Sequence, residues 1–310
     1  MSDFKFEEAV TQAFRTSGGK QFGWRLLFWA AACVSVVSLI AIPMMMPYYG
    51  DLLAINQQNM QAILGGDPDS IDNKAMNATL LKMAPAYCLW MTGYWLAWIA
   101  AEAALHRKVL HGTEHPKQPL RLGKDEFRVW LSQLGVFGIL FLIYFFGVFA
   151  LILLAVIPVL GAIVALVLII ALPCFLILAS VRLAPAASLS ILKNKTHALA
   201  AKEITKGKFW TVFPAYLVTF VGGYFLLYVI MIIGVGLVTR DMNFFMSMSG
   251  LGEEDPKAVM AAAGERFKNP LVMLMGILAL IAYSAAYAFW MISIIGVGSH
   301  MTKVWGNQSP

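Results

Sequence analysis

VWLSQLGVFGILFLIYFFGVFALILLAVIPVLGAIVALVLIIALPCFLILASV, Val129 to Val181, runs for 53 residues between Arg128 and Arg182 without one Asp, Glu, Lys, Arg or His. A helix needs only about 20 apolar residues to cross the hydrocarbon of a bilayer. This stretch therefore crosses more than once. A single crossing or three crossings would put the basic segment 182–208 on the side opposite the other Lys- and Arg-rich segments, so two crossings are the reading to carry forward. The turn between them is "IPVLG", which has no charge and reads as a shallow interfacial bend at Pro158 to Gly161.

Working outward, the composition agrees. Apolar residues make up 60% of the 310 and charged residues 13%, with a mean hydropathy of +0.73, far from the balance of a soluble domain. Cys33, Cys88 and Cys174 all fall in apolar windows and read as reduced packing residues. The N-terminal stretch carries Asp3, Glu7 and Glu8, and its first apolar run starts at about residue 26, too late and too acidic for a cleaved secretory signal. The first span is expected to stay in the mature protein.

Windows of spanning length fall at about 26–46, 84–105, 130–155, 162–182, 211–238 and 271–297. The expected fold is all-α: a six-span membrane domain over 26–300, arranged as three hairpins. An amphipathic N-terminal helix precedes it in 1–25 and a tail follows in 301–310. Six spans place both termini on one side. That side then holds 17 of the 23 Lys and Arg, and the other side only Lys74, Lys82, Arg240, Lys257, Arg266 and Lys268. Because short cytoplasmic loops retain positive charge, both termini are expected in the cytoplasm. The far-side segments 48–83 and 239–270 read as loops with short helices in them, "DPKAVMAAAGERF" being the better candidate, with Asp255 as cap and Pro256 in the first helical position.

Three entries into the membrane share a design. Before the first span, "FKFEEAVTQAF" sets Phe6, Val10, Ala13 and Phe14 on one helical face and Glu7, Thr11 and Arg15 on another, as an interfacial helix would. Before the fifth, "KTHALAAKEITKGKFW" sets Ala198, Leu199, Ala201 and Ile204 on a face that can meet lipid or protein, breaks at Gly207 and anchors on Phe209 and Trp210. Before the third, "LGKDEFRVW" is a shorter version ending in Phe127 and Trp130. The recurrence suggests three copies of an interfacial helix plus a hairpin, although any such entry point selects Lys, Gly and an aromatic. Lys20, Trp24, Arg25, Lys206, Lys208, Phe209 and Trp210 are the expected lipid contacts, with the cations drawn to anionic headgroups.

Candidate chemistry is sparse. "TKGKFWT" lacks the strand, spacing and following helix of a phosphate loop. "EAALHRKVLHGTEH" offers Glu102, His106 and His115 as weak metal candidates, but Gly112 interrupts any common face. Glu102 and Arg182 end their spans at the same depth, where a lone charge costs roughly 2.5–3.5 kcal/mol, which makes them a candidate ion pair. The span centres carry no ionisable acid, base or histidine. Their polar atoms come mostly from tyrosines, including Tyr224, Tyr228, Tyr283 and Tyr287.

The segment "SVRLAPAASLSILKNKTHALAAKEITKGKFWTVFPAYL" resembles bacterial six-span proteins similar to the membrane domain attached to some glycerophosphoryl diester phosphodiesterases. Arg182, Pro185, Thr205, Gly207, Phe209 and Trp210 carry the resemblance. It implies the membrane part alone, in a bacterial inner membrane, because in that group hydrolysis belongs to a separate soluble barrel. The expected function is non-catalytic: a protein that engages or organises phospholipids through a basic cytoplasmic interface, alone or with a partner protein or a second copy. No cofactor and no nucleic acid are expected. The alternative is a transporter or channel for a lipid-like or small amphipathic solute.

Overall fold

A computed structural model describes residues 4–15, 19–66, 70–113, 119–155, 157, 160–196, 198–239 and 256–306. All regular structure among them is helical. Two short helices, α1 (Phe6–Val10) and α2 (Gln12–Arg15), lead into α3 (Gly19–Leu64) and α4 (Asn73–His111). The uncharged stretch forms α5 (Lys124–Ala155) and α6 (Leu160–Leu183), followed by α7 (Ala186–Leu192) and α8 (Ala201–Ile204). The chain continues as α9 (Phe209–Thr239), α10 (Pro256–Phe267) and α11 (Pro270–Trp305).

Among the described residues, five stretches are long and apolar enough to cross a membrane: Gln21–Leu64, Lys124–Leu154, Val164–Leu192, Phe209–Leu237 and Pro270–Trp305. The chain is therefore a multi-pass membrane protein. The stretch Val129 to Val181 does yield two helices, and they pack on each other where Gly147 leaves room for Leu172. The window at 84–105 lies in α4, which is not one of the five. Its Tyr87, Trp90, Tyr94, Trp95 and Trp98 dilute the apolarity without adding charge.

The far-side loop expected at 48–83 is mostly helix. Residues 48–64 extend α3 and residues 73–83 open α4, because nothing breaks the helix before Gly65 and Gly66. Gly66 takes φ 74°, the left-handed conformation that ends helices. Asp72 then caps α4, its Oδ1 accepting from Ala75 N at 2.8 Å. The helix expected at 255–267 is present as α10, with Pro256 as its first residue; its proposed cap Asp255 lies outside the described residues.

The chain forms two compact units, one of Met1–Trp29, Trp98–Gly223 and Phe289–Pro310, the other of Ala30–Ala97 and Tyr224–Ala288. In the first unit the N-terminal segment differs from the single interfacial helix expected. It breaks at Thr11, Phe6 is exposed, and Ala9, Gln12 and Ala13 are buried. Its backbone lies in a slot between two glycines: a Cβ at Gly23 would meet Ala13 O at 2.8 Å, and one at Gly296 would meet Ala9 O at 3.3 Å. Small residues permit that approach, and Phe14 packs over Gly23.

Two further differences concern residues outside the expected spans. Residues 186–192 form a buried helix, with Ala186 to Ile191 all inside. Residues 301–305, expected in a tail, are the end of α11, where Met301, Thr302 and Trp305 are buried.

The slot yields a direct test. Gly23→Ala would drive a methyl to within 2.7 Å of the Phe14 ring, whereas a Cβ at Gly222 meets nothing within 4 Å. Gly23→Ala is expected to cost about 1–3 kcal/mol and Gly222→Ala to be near neutral, read as unfolding midpoints of the detergent-solubilised protein.

Candidate functional site

The first unit converges on the last three turns of α11. Gly298 has no side chain, and a Cβ there would sit 3.4 Å from both Ala184 O and the Tyr216 hydroxyl. Thr302, His300 and Ser299 each meet a side chain from a different element. Ser188 Oγ of α7 lies 2.5 Å from Thr302 Oγ1 and donates within 3.2 Å of Gly298 O. Gln12 Oε1 of α2 lies 2.8 Å from His300 Nδ1. Ser299 Oγ lies 2.7 Å from His106 Nδ1 of α4 and donates to Ile295 O at 3.1 Å. On the other side of α7, Ser190 Oγ and Ser132 Oγ of α5 are 2.7 Å apart.

Glu102 does not meet Arg182. Its Oε1 is 3.3 Å from His106 Nε2, one turn along the same helix, and its Oε2 accepts from Gln133 Nε2 of α5. His106, one turn away on the same helix, is already within reach of Glu102. Arg182 contributes its carbonyl instead, which accepts from Thr205 Oγ1 at 3.2 Å. Of the three weak metal candidates, Glu102 and His106 come together and His115 lies outside the described residues. Among the described residues no group of three His, Cys, Asp or Glu converges to hold a metal.

A second ionic cluster had gone unread. Arg107 Nη1 donates to Glu126 Oε1 and lies 3.5 Å from Asp125 Oδ2. Arg128 Nη1 donates to Asp125 Oδ1 at 2.9 Å and to Asn194 Oδ1 at 3.0 Å. Asp125 and Glu126 open α5, where the helix dipole favours acids. Arg107 and Glu126 are both buried. The acidic pair was legible in "GKDEFRVW"; its partner on α4 was not.

At the entry to α9, Gly207 adopts φ 72° and ends the turn of α8, as its place in the sequence implies. Lys208 does not extend outward: its Nζ stands 4.2 Å over the Trp305 ring. Partial burial pushes that ammonium below the usual lysine range. Phe209 stacks on Phe213 at 5.1 Å, whereas Trp210 is 78% exposed beside an exposed Lys206. Trp24 is 61% exposed, with its ring 5.6 Å from Phe14, and Arg25 is half-buried. Lys20 lies in the first turn of α3.

In the second unit Tyr94 and Tyr287 pack together. Tyr94 holds Ser38 Oγ at 2.8 Å, and its ring lies 4.8 Å from Trp90 and 5.0 Å from Tyr287. Tyr224 and Tyr228 turn outward, more than half exposed. Two apolar grooves are lined by other side chains. One of about 550 Å³ runs between α5 and α6 beside Phe146 and Leu172; a smaller one, about 270 Å³, lies between α9 and α11 beside Gly234 and Ala279.

Comparison with protein-family models, curated proteins and solved structures finds no match to this chain. The reading of the site therefore rests on its own geometry.

Because Arg107 and Glu126 are buried together, Glu126→Leu alone should leave the guanidinium with Asp125, 3.5 Å away, as its remaining acid and cost about 1–3 kcal/mol. The double change Arg107→Met, Glu126→Leu should cost clearly less than the sum of the two single changes. Unfolding midpoints of the four proteins in a double-mutant cycle provide the measurement.

Proposed function

We propose that this chain is a six-span protein of a bacterial inner membrane, with both termini in the cytoplasm. In this reading it is non-catalytic and engages or organises phospholipids through a basic, aromatic interface, alone or with a partner protein or a second copy. The observation that carries the reading is the pairing of exposed aromatics with exposed cations at the membrane entries of the first unit. Trp210 and Leu199 stand exposed with Lys202 and Lys206, and Phe127 and Leu122 with Lys124. Such side chains suit the headgroup layer, where aromatic rings settle and each cation near an anionic surface contributes on the order of 1 kcal/mol.

The sixth span is assigned to 84–105 within α4. That helix has 39 residues, ample for a crossing, and an even number of spans agrees with the Lys and Arg bias. The resemblance of Arg182 to Trp210 to the membrane domain of glycerophosphoryl diester phosphodiesterases fits the same localisation. Close ring packing around Tyr94 favours lipid engagement at the rim over passage of a solute through that cluster.

Native mass spectrometry of protein released from membranes tests the proposal. Lys202→Gln and Lys206→Gln should each weaken retention of anionic phospholipid roughly fivefold, as loss of about 1 kcal/mol implies. Lys208→Gln should change lipid retention less and stability more, because that ammonium is engaged by Trp305. If both exposed-lysine variants keep the wild-type lipid complement, or the wild type retains none, the proposal fails.

A further inference from the structure

Arg182 ends the long uncharged stretch of the chain, and Glu102, engaged by His106 and Gln133, is not its counter-charge. Among the described residues the Arg182 guanidinium forms no ion pair and no hydrogen bond. Glu203, on the α8 helix that packs against the end of α6, is exposed and forms no ion pair with it. The other cations of the first unit are placed differently. Arg107 and Arg128 are held by acids, Lys208 stands over Trp305, and Lys202 and Lys206 are exposed. Arg182 is part-buried at the end of an apolar helix, where a cation reaches for the edge of the hydrocarbon and is costly without a negative partner. The anion a bilayer supplies at that level is the phosphodiester of its lipids.

The same helix supplies a place for the rest of such a molecule. Leu168, Ala171, Leu172 and Phe175 form the α6 wall of the groove of about 550 Å³, facing Leu142 and Phe146 of α5. Those four positions are spaced i, i+3, i+4 and i+7, and Arg182 stands at i+14, on the same stripe. Leu178 and Ala179, both part-exposed, continue the stripe between Phe175 and Arg182. Seven residues of helix rise about 10 Å, whereas the headgroup layer on each side of a bilayer is only about 5–8 Å deep. With Arg182 in that layer, the groove lies at the depth of the acyl chains.

We propose that the α5–α6 hairpin carries a discrete phospholipid site. The Arg182 guanidinium donates a forked pair of N–H groups to the phosphodiester, and one acyl chain runs down the α6 stripe into the groove beside Phe175 and Phe146. The site rests on the phospholipid reading and deepens it, with a different chemical demand. Lys202 and Lys206 respond to the net negative charge of a surface. A guanidinium on a phosphodiester serves zwitterionic and anionic phospholipids alike, and the groove requires an acyl chain.

The test is native mass spectrometry of the full chain, stripped of lipid in detergent and titrated with dioleoyl phosphatidylethanolamine, dioleoyl phosphatidylglycerol, dioleoylglycerol or inorganic phosphate. The wild type should take up a single copy of either phospholipid and hold neither dioleoylglycerol nor phosphate at the same concentration. Arg182→Gln should weaken both phospholipids on the order of tenfold, as loss of a charge-assisted contact implies, and Arg182→Lys should weaken them less. Ala171→Trp, at an exposed position in the groove wall, should weaken both dioleoyl phospholipids and leave dihexanoyl phosphatidylglycerol unaffected. Uptake that never saturates and is unchanged in Arg182→Gln marks annular lipid only and overturns the proposal. Displacement of the lipid by inorganic phosphate also overturns it, in favour of a free-anion site. Should Arg182→Gln fail to fold, as judged by its unfolding midpoint, Arg182→Lys and Ala171→Trp decide the outcome. Lipid loss in Lys202→Gln and Lys206→Gln with none in Arg182→Gln refutes this site and leaves the rim reading standing; the reverse result refutes the rim and supports the site.

Discussion

Polar side chains inside a membrane protein have no water to fall back on, so each must find its partner within the fold. Here the constraint is met at one place. Gln12, His106 and Ser188 come from three separate elements and end on His300, Ser299 and Thr302, within four residues of α11. Gly296 and Gly298 thin the same helix so that backbones can approach it. Van der Waals fit and hydrogen bonds drive such contacts when lipid competes for every apolar surface. The small and polar character of residues 296–302 thus matters more than their hydropathy, which by itself would mark only another span.

The ionic cluster does complementary work from a different direction. Arg107, Asp125, Glu126 and Arg128 tie the end of α4 to the start of α5, and Asn194 brings in the segment after α7. Between the two networks lies α7, seven residues long, with one serine on α11 and another on α5. Together these contacts explain how a basic, charge-rich segment of the chain can still be well packed. They also leave Lys202, Lys206 and Trp210 facing outward, so the interior and the exposed surface are built from different side chains of the same short stretch.

Much of the architecture was legible because the signals were long. An uncharged run of this extent can only be helices in lipid, and Gly207 between a polar turn and an aromatic pair reads as a break. What escaped was local and azimuthal. "PAASLSIL" looks like a link because its residues are small and weakly apolar, yet that composition is what a buried helix between close neighbours needs. The absence of charge from Ala184 to Leu192 was the available clue. Glu102 was given the wrong partner, since its place near the end of a span does not specify which face of the helix it occupies. The extension of α3 through Leu64 was hidden by polar composition, as Gln57, Gln58, Asn59 and Gln61 favour a loop reading while remaining good enough helix formers.

The Phe4–Trp305 stack, at 5.3 Å, joins the start of the described chain to the end of its last helix. Synthesis is vectorial, so residues 12, 106 and 188 emerge from the ribosome long before residues 298–302 do. Until then Gln12, His106 and Ser188 have no α11 to meet, and the Glu102–His106 pair lacks its serine. The interior of the first unit can close only after nearly the whole described chain has been made, so each of these groups must be held by water, lipid headgroups or the insertion machinery in the meantime. A ribosome that stalls before α11 would leave a chain with most of its spans inserted and most of its polar interior open.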